Sequence, residues 1–453
     1  YPYGAAPLWE TGLSKYFQNN ADLVRQQINN NHKVIKAETV DAKEDVYDLT
    51  IDGSHNFCLG AGVFVHNSVD GDNPAAMRYT ECRMARTAEE LLYDIEKDTI
   101  DFIPNYDGTR LEPKVLPAKL PNLLLNGSFG IAVGMATTIP PHHIGETIDA
   151  AMHLIDHPKA TTEDLLQFIQ GPDFPTGGII YNKKAIAEAY ITGRGPITCR
   201  AVTAIEERKS GQFNIIVTEI PYQVNKSELV TKIAELHTEK KFEGIKDLRD
   251  ESDRSGMRIV IELKTDAAPQ KILNQLYKHT DLQKDFHLNM VALQDGIQPQ
   301  LMSLKEILEA YVAHRKLVVE RRAKFDLMKA KERAHILEGL VKALDVIDKI
   351  ISTIKKSKDR DDARENLVKG FRFTEIQANA ILDMRLGTLA ALERTKLEDE
   401  LKEKKRLIIE LEELLKSPQK ILKVVKDELA ESKAKYGDAR RTDIVKHGIK
   451  EFT

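Results

Sequence analysis

The 453-residue chain holds only three cysteines, Cys58, Cys82 and Cys199. They are far apart, odd in number and in no metal-ligand spacing. That argues against a disulfide framework or a zinc site and for a reducing cytoplasm. No run of about 18 apolar residues occurs, so a membrane span is not expected. The chain opens with no secretory signal, and it has no Gly-x-x-x-x-Gly-Lys loop to cradle the phosphates of a nucleotide. It also lacks an excess of one charge: 66 Lys and Arg against 70 Asp and Glu give a formal net charge of −4. Such a balance argues weakly against a nucleic-acid binder, which is usually basic over its binding domain, but a whole-chain sum hides local patches. The 42% hydrophobic and 30% charged fractions are those of a globular protein, and the length suggests two to four domains of about 100–200 residues each. The first residue is Tyr1 rather than Met, which leads us to expect a fragment or a processed product.

Residues 1–31 are polar and amide-rich. From Lys33 to Val65, short β-branched runs are broken by Asp52-Gly53 and Gly60-Ala-Gly62, a pattern of small β-hairpins. Residues 84–97 predict a helix with Thr87 as N-cap and Leu91, Leu92 and Ile95 on one face. Residues 145–295 alternate helix-like and strand-like segments. From Met302 the period is helical, with Leu304, Ile307, Leu308 and Tyr311 at i, i+3, i+4 and i+7, continued by Ile336, Leu340, Leu344, Ile347 and Ile351. A second long helix is predicted from Leu389 through Leu397, Leu401, Ile408, Leu411 and Leu415, ending before Ser417-Pro418. Dense Lys and Glu on the other faces read as solvated surface, and the two helices should pair as an antiparallel coiled coil. Phe373–Leu386, between them, reads as a compact apolar helix.

The most informative stretch is Ser68-Val-Asp-Gly-Asp-Asn-Pro-Ala-Ala-Met-Arg-Tyr-Thr-Glu81, which sets Arg78 beside Tyr79. A phenol of pKa about 10 is a weak nucleophile at neutral pH, and a neighbouring cation steadies the charge that develops on a phosphoryl group. An Arg-Tyr pair alone is more often ordinary surface. With Gly130-Ile-Ala-Val-Gly-Met-Ala-Thr-Thr-Ile-Pro-Pro-His142, Glu219-Ile-Pro-Tyr-Gln-Val-Asn-Lys226 and Tyr436-Gly-Asp-Ala-Arg-Arg-Thr-Asp443, it resembles the A-subunit family of bacterial type IIA topoisomerases, DNA gyrase more closely than topoisomerase IV. The resemblance covers Ser68 to Ile444.

It implies that Tyr79 attacks a DNA phosphodiester to give a 5′-phosphotyrosyl bond and that Arg78 stabilises the developing charge. Ile131 would wedge between base pairs and bend the duplex. Lys119, Asn122 and Asn126 would lie near phosphates, although ordinary loop residues are the alternative reading of all three. Gly193-Arg194-Gly195 is either a further phosphate contact or a plain turn. ATP and the Mg²⁺-holding acidic cluster would belong to a B-type ATPase subunit, with no cofactor or metal bound by this chain alone. The partners implied are double-stranded DNA and that B subunit, in an A2B2 assembly built on an A-subunit homodimer, in the bacterial cytoplasm with the nucleoid. The front of a winged-helix domain and a C-terminal DNA-wrapping propeller, both parts of the family, fall outside these residues.

Upstream, Val46-Tyr-Asp-Leu-Thr-Ile-Asp-Gly-Ser-His-Asn-Phe57 and Gly62-Val-Phe-Val-His-Asn-Ser68 resemble the C-terminal end of an intein. The resemblance implies that Asn67 cyclises onto its own carbonyl, releasing the chain at Ser68. His66 would act as general acid, Ser68 would be the acceptor hydroxyl, and Asp48 and His55 would form a second acid/base pair.

The expected fold class is multidomain α+β. It comprises a linker or endonuclease remnant at 1–31, an all-β splicing segment at 32–67 and a partial winged-helix domain at 68–121. An α/β tower domain follows at 122–300, then a coiled coil with a helical exit gate and dimer interface at 301–444, and the start of a linker at 445–453. Two other functions stay open: a chain whose only chemistry is splicing, and a DNA-binding scaffold that does not cleave.

Overall fold

The computed structural model describes residues 56–58, 64–66, 69–70, 84–208, 211–253, 256–294, 296, 298–384 and 391–445, with backbone alone at 56–58, 64–66 and 391–393. Arg78, Tyr79, Asp48, His55, Asn67 and Ser68 lie outside the described residues, as do the expected segment 1–31 and all of the expected linker start 445–453 except Val445, which belongs to a strand. The first described elements are β1 (Asn56–Cys58) and β2 (Phe64–His66), an antiparallel pair that sets His66 opposite Asn56.

The expected helix over 84–97 is shorter than its periodicity suggested. α1 (Arg86–Leu92) is preceded by Ala85 as N-cap and ends at Tyr93, and Asp94 turns the chain with φ 62°. Thr87 does not cap it; Thr87, Glu90 and Asp94 form the buried face, while Leu91, Leu92 and Ile95 are half-buried. Ion pairing decides this. Glu90 meets Lys119 and Lys435, and Asp94 meets Arg322, each partner arriving from outside the helix.

A hairpin follows, β3 (Phe102–Pro104) with β4 (Leu111–Pro113), then α2 (Asn122–Leu125) and a second hairpin, β5 (Ser128–Ala132) with β6 (Met135–Ile139). α3 (Ile144–Asp156) starts on His143, whose ring accepts from the Glu146 N–H, and α4 (Thr162–Leu165) starts on a reciprocal Thr161–Asp164 capping box. Next come β7 (Ile179–Tyr181), α5 (Lys183–Thr192) and β8 (Arg194–Arg200). Gly193 ends α5 at φ +75°, where an added Cβ would lie 2.5 Å from the Met302 carbonyl oxygen. Only glycine tolerates that geometry and that approach.

The chain then leaves this sheet to build another. β9 (Val202–Glu207), β10 (Phe213–Glu219), α6 (Lys226–Thr238), β11 (Ile245–Asp250), β12 (Ile259–Leu263) and α7 (Pro269–His279) form a module with its own antiparallel sheet, in the order β11-β12-β10-β9. Its core holds Ile215, Val217, Ile233, Ile259, Ile261 and Leu276. The chain returns along β13 (Gln283–Asn289), which pairs with β8 from Gln283↔Arg200 to Asn289↔Arg194. The interval 122–300 therefore contains two hydrophobic cores. A hairpin of β14 (Val291–Gln294) and β15 (Gln298–Leu301) follows.

Residues 301–444 are mainly helical. α8 (Leu304–Asp345), α9 (Ile347–Lys356), α10 (Arg360–Phe371), α11 (Glu375–Leu382), α12 (Ala391–Leu415) and α13 (Pro418–Tyr436) lead to β16 (Asp443–Val445). α8 opens on a Ser303–Glu306 capping box, and α12 stops just before Ser417-Pro418. α8 and α12 run antiparallel, with ion pairs Lys331–Glu412, Lys405–Glu338 and Arg394–Asp345 along their length. The apolar stripe differs from the expected one in two ways. The helix breaks at Val346, so Ile347 and Ile351 belong to α9. Ahead of the break, Ala330, Ala334, Leu337, Gly339 and Ala343 are buried along with the expected Leu344, while Ile336 and Leu340 are only half-buried. Small residues bring the neighbouring helices close: a Cβ at Gly339 would sit 2.6 Å from Gln377 of α11.

α9, α10 and α11 pack around Ile350, Leu367, Phe373, Ala378 and Ile381. The largest core lies under the six-stranded sheet β16-β7-β8-β13-β6-β5, between α3, α5 and the start of α8 and including Val425 and Leu429 of α13. β16 joins β7 in parallel, and Thr442, fully buried, accepts from the Phe174 N–H at 2.7 Å. The last described residues are thereby tied to the centre of the fold.

Candidate nucleic-acid interface

Five described residues bear on the expected site: Lys119, Asn122, Asn126, Ile131 and His66. Ile131 lies on the second hairpin, paired with Ala136 and 80% exposed. Val133 at the turn is fully exposed, and Phe129 and Met135 are also open to solvent. The turn is made by Gly134 at φ +80°, with open space around it. Phe129 and Ile131 project from the same strand face, two positions apart. A cluster of large apolar side chains held in water at the tip of a hairpin is an unusual surface that marks an interaction site.

The tip is exposed, but its base is fixed. The Asn289 side-chain amide donates to the Ala136 carbonyl at 2.5 Å, and the Thr137 hydroxyl donates to the Val291 carbonyl at 2.7 Å. β13 also pairs with β6 at Asn289↔Thr138. Gly127 enters the hairpin at φ +69°, and a Cβ there would overlap the Ile139 carbonyl oxygen. Behind it, buried His142 links α2 to α5. Its Nδ1–H donates to the Leu124 carbonyl at 2.9 Å, so Nε2 accepts from the Tyr190 hydroxyl at 2.7 Å. Burial pushes this imidazole down to about 4.

Lys119 does not face outward. It is 6% exposed, with its ammonium 3.5 Å from Glu90 and 3.3 Å from Glu431 and over the Tyr93 ring. Lys119, expected near phosphates, thus shares its charge with two carboxylates in this structure. Asn122 is half-buried at the start of α2, and Asn126 caps the end of α2, its N–H donating to the Asn122 carbonyl. Arg194 is exposed at the start of β8. His66 stands on β2, where the backbone alone is described.

The segment carrying Arg78 and Tyr79 is flanked by anchored residues. On the upstream side, the Lys226 N–H donates to the Val69 carbonyl at 2.8 Å and the Asn225 side chain donates to the Asp70 carbonyl at 3.0 Å. The Lys226 ammonium lies 3.2 Å from the Asp70 carboxylate and 2.5 Å from that of Asp250. Burial alone would lower the Lys226 pKa, but hydrogen bonds to Asp250 and Asp70 outweigh it and raise the group above its ordinary value. On the downstream side, Glu90 accepts from the Tyr436 hydroxyl at 2.7 Å and from Lys435 at 3.0 Å. Burial would raise the Glu90 carboxyl, but these bonds and the Lys119 charge hold it low. Asp94 and Glu428 share Arg322, and Arg315, 1% exposed, joins Glu428 to the Pro117 carbonyl. Sequence reasoning misses both anchors. Lys226 closes one of the motifs above, but nothing in a linear pattern says which aspartates it meets.

Among the described residues no three His, Cys, Asp or Glu side chains converge as a metal site would require, and no helix is long and apolar enough to cross a membrane.

The exposed apolar hairpin carrying Ile131 and the long antiparallel helical pair lie where the motifs of the type IIA topoisomerase A subunit were read. The chain belongs to the family of DNA gyrase and topoisomerase IV A subunits, whose model matches residues 52–430. It is 52% identical over 415 residues to the DNA gyrase A subunit of Dehalogenimonas lykanthroporepellens, covering 90% of this chain and 51% of that protein. It is 55% identical over 394 residues to the DNA gyrase A subunit of Clostridium acetobutylicum, covering 87% of this chain and 46% of that one. The Campylobacter fetus DNA gyrase A subunit is 52% identical over 406 residues, 88% of this chain and 47% of its own length. The chain thus spans about half the length of the curated relatives it matches.

Proposed function

We propose that this chain is the strand-breaking and rejoining part of a DNA gyrase A subunit. The observation that carries the reading is the family match over 52–430, which spans the Arg78–Tyr79 pair. The Tyr79 phenolate attacks the phosphorus of a DNA phosphodiester. A P–O bond to the tyrosine forms, the P–O3′ bond breaks, and the leaving 3′ oxygen takes up a proton. Arg78 stabilises the charge on the non-bridging oxygens as the phosphorus becomes pentavalent. The reverse step reseals the strand without an external energy source, because one phosphate ester replaces another. Exposed Ile131 wedges into a base step and bends the duplex; Asn122 and Asn126, on the short helix before the hairpin, face the neighbouring backbone.

Two copies, one per strand, work with two B-type subunits that supply ATP hydrolysis and Mg²⁺, in the bacterial cytoplasm. The region of α9, α10 and α11 is the exit gate where the two copies meet. The test uses the full-length A subunit containing this chain, with a B subunit, Mg²⁺ and end-labelled DNA. A denaturant-trapped 5′ adduct is expected to map to Tyr79 and to vanish in Tyr79→Phe; an adduct in that variant overturns the assignment.

A second activity that we propose, from the motifs at 46–57 and 62–68 alone, is excision of an upstream intein by cleavage between Asn67 and Ser68. Here Asn67 cyclises, His66 is the general acid, Ser68 the acceptor, and Asp48 and His55 assist.

A further inference from the structure

We propose that Lys226 is a positioning residue for DNA cleavage, holding the chain that leads into Arg78–Tyr79 against the four-stranded module through Asp70. The inference rests on Tyr79 being the nucleophile. Lys226 is the first residue of α6, and its side chain is almost wholly withdrawn from water. An ammonium placed there needs a partner, because its desolvation is otherwise uncompensated. Asp250, on β11 of the same module, would suffice. Asp70, far away in the chain, completes the set at 3.2 Å.

Two further bonds join the same strip of chain to the same turn: Lys226 N–H to the Val69 carbonyl, and the Asn225 amide to the Asp70 carbonyl. Val69 and Asp70 are thus held by backbone and side chain together, and Tyr79 follows a short distance on. Both carboxylates lie within hydrogen-bond reach of one nitrogen. With the ammonium gone, Asp70 loses its charged partner on the module. In-line attack on phosphorus tolerates little displacement; a shift of about 1 Å can lower a rate by ~10²-fold.

The experiment compares wild type, K226M, K226R, D70A and D70A/K226M in the full-length A subunit with its B partner, Mg²⁺ and a labelled duplex. It measures DNA affinity and the single-turnover rate of adduct formation separately. K226M is expected to lose on the order of 10²-fold in rate with DNA affinity nearly unchanged. K226R should recover most of the rate, since it restores the cation. D70A should show the part of the K226M loss that runs through Asp70, and the double variant should be no slower than K226M alone, since both remove the Lys226–Asp70 contact. Wild-type rates in K226M, or losses in rate matched by losses in affinity, overturn the proposal. If K226M does not fold by circular dichroism, D70A decides alone: its residue is partly exposed and outside the module, and a wild-type rate there is the overturning result. Y79F runs in the same gel. An adduct that survives in Y79F overturns the nucleophile, a separate failure from that of the anchor.

Discussion

Replacing Ile131 with alanine separates its two conceivable roles, because they predict opposite outcomes. A buried isoleucine cut to alanine costs about 2–5 kcal/mol of stability. Ile131 is 80% exposed on the hairpin and faces Ala136, so its loss should change the free protein by less than about 0.5 kcal/mol. Against DNA the balance reverses. The substitution removes three carbons that would be buried in the opened base step, at about 0.8 kcal/mol each. The upper limit is ~2.4 kcal/mol, or roughly 50-fold in the ratio of bent to straight duplex at about 1.4 kcal/mol per tenfold. Phosphate contacts are untouched, so binding should weaken far less than bending. The assay is energy transfer between dyes at the two ends of a duplex, read at saturating full-length protein with its B partner, beside a thermal melt of the free variant. Unchanged transfer efficiency would refute the wedge. A melt lowered as for a core truncation would refute the claim that the hairpin tip is free of structural duty.

In the adduct assay, Arg78→Ala should slow covalent attachment by about 10²–10³-fold rather than abolish it, since it removes charge stabilisation and leaves the nucleophile. Arg78→Lys should rescue only in part, because an ammonium lacks the planar fork. With an intein front half supplied, Asn67→Ala should stop release of a product beginning at Ser68, as alanine has no amide to cyclise; mass spectrometry that finds such a product rejects the mechanism. For His142 the folded pKa is about 4 against about 6.5 unfolded. Between those values the unfolded chain binds the extra proton, so stability is fully present above about pH 6.5 and lost as pH falls toward 4, by about 3 kcal/mol at most. Tyr190, Arg440, Asp173 and the Leu124 carbonyl are the groups around the ring. His142→Gln should flatten this slope in denaturant midpoints taken across that window, and an unchanged slope assigns it elsewhere.

What the chain alone reveals is chemistry and period. The Arg-Tyr motif, the segment around Ile131 and the helical repeat are local patterns, and α8 begins at Leu304, close to the Met302 onset read from the period. The misreadings share a cause in non-local contact. Thr87 looks like a cap as long as α1 is judged by its leucines, whereas Glu90 and Asp94 are drawn inward by cations arriving from Lys119, Lys435 and Arg322. The pairing of Lys119 with Glu90 and Glu431 is likewise invisible in the linear sequence. The expected stripe Ile336, Leu340, Leu344 weights large side chains; Leu344 is buried, as is Leu337, but Ala334, Gly339 and Ala343 fill the other buried positions because close helix packing favours small residues. The return of β13 to β8 across the whole inserted module leaves no periodic trace.

The same distinction explains why the hairpin needs its base. A wedge that opens a base step, at a cost of a few kcal/mol, feels an equal and opposite load. A free two-stranded hairpin is marginally stable in water and would bend before the DNA did. In the proposed wedge role, the load on Ile131 would pass through β6 into β13 and β14, by the Asn289 and Thr137 hydrogen bonds and the strand pairing beside them. β13 is paired along its length with β8, and β8 lies over the largest core. Two such hydrogen bonds contribute about 1 kcal/mol each, less than the load by themselves. On that proposal the strand pairing and the closed geometry at Gly127 would carry the remainder, and the stiffness of the wedge would lie in the six-stranded sheet and not in its tip.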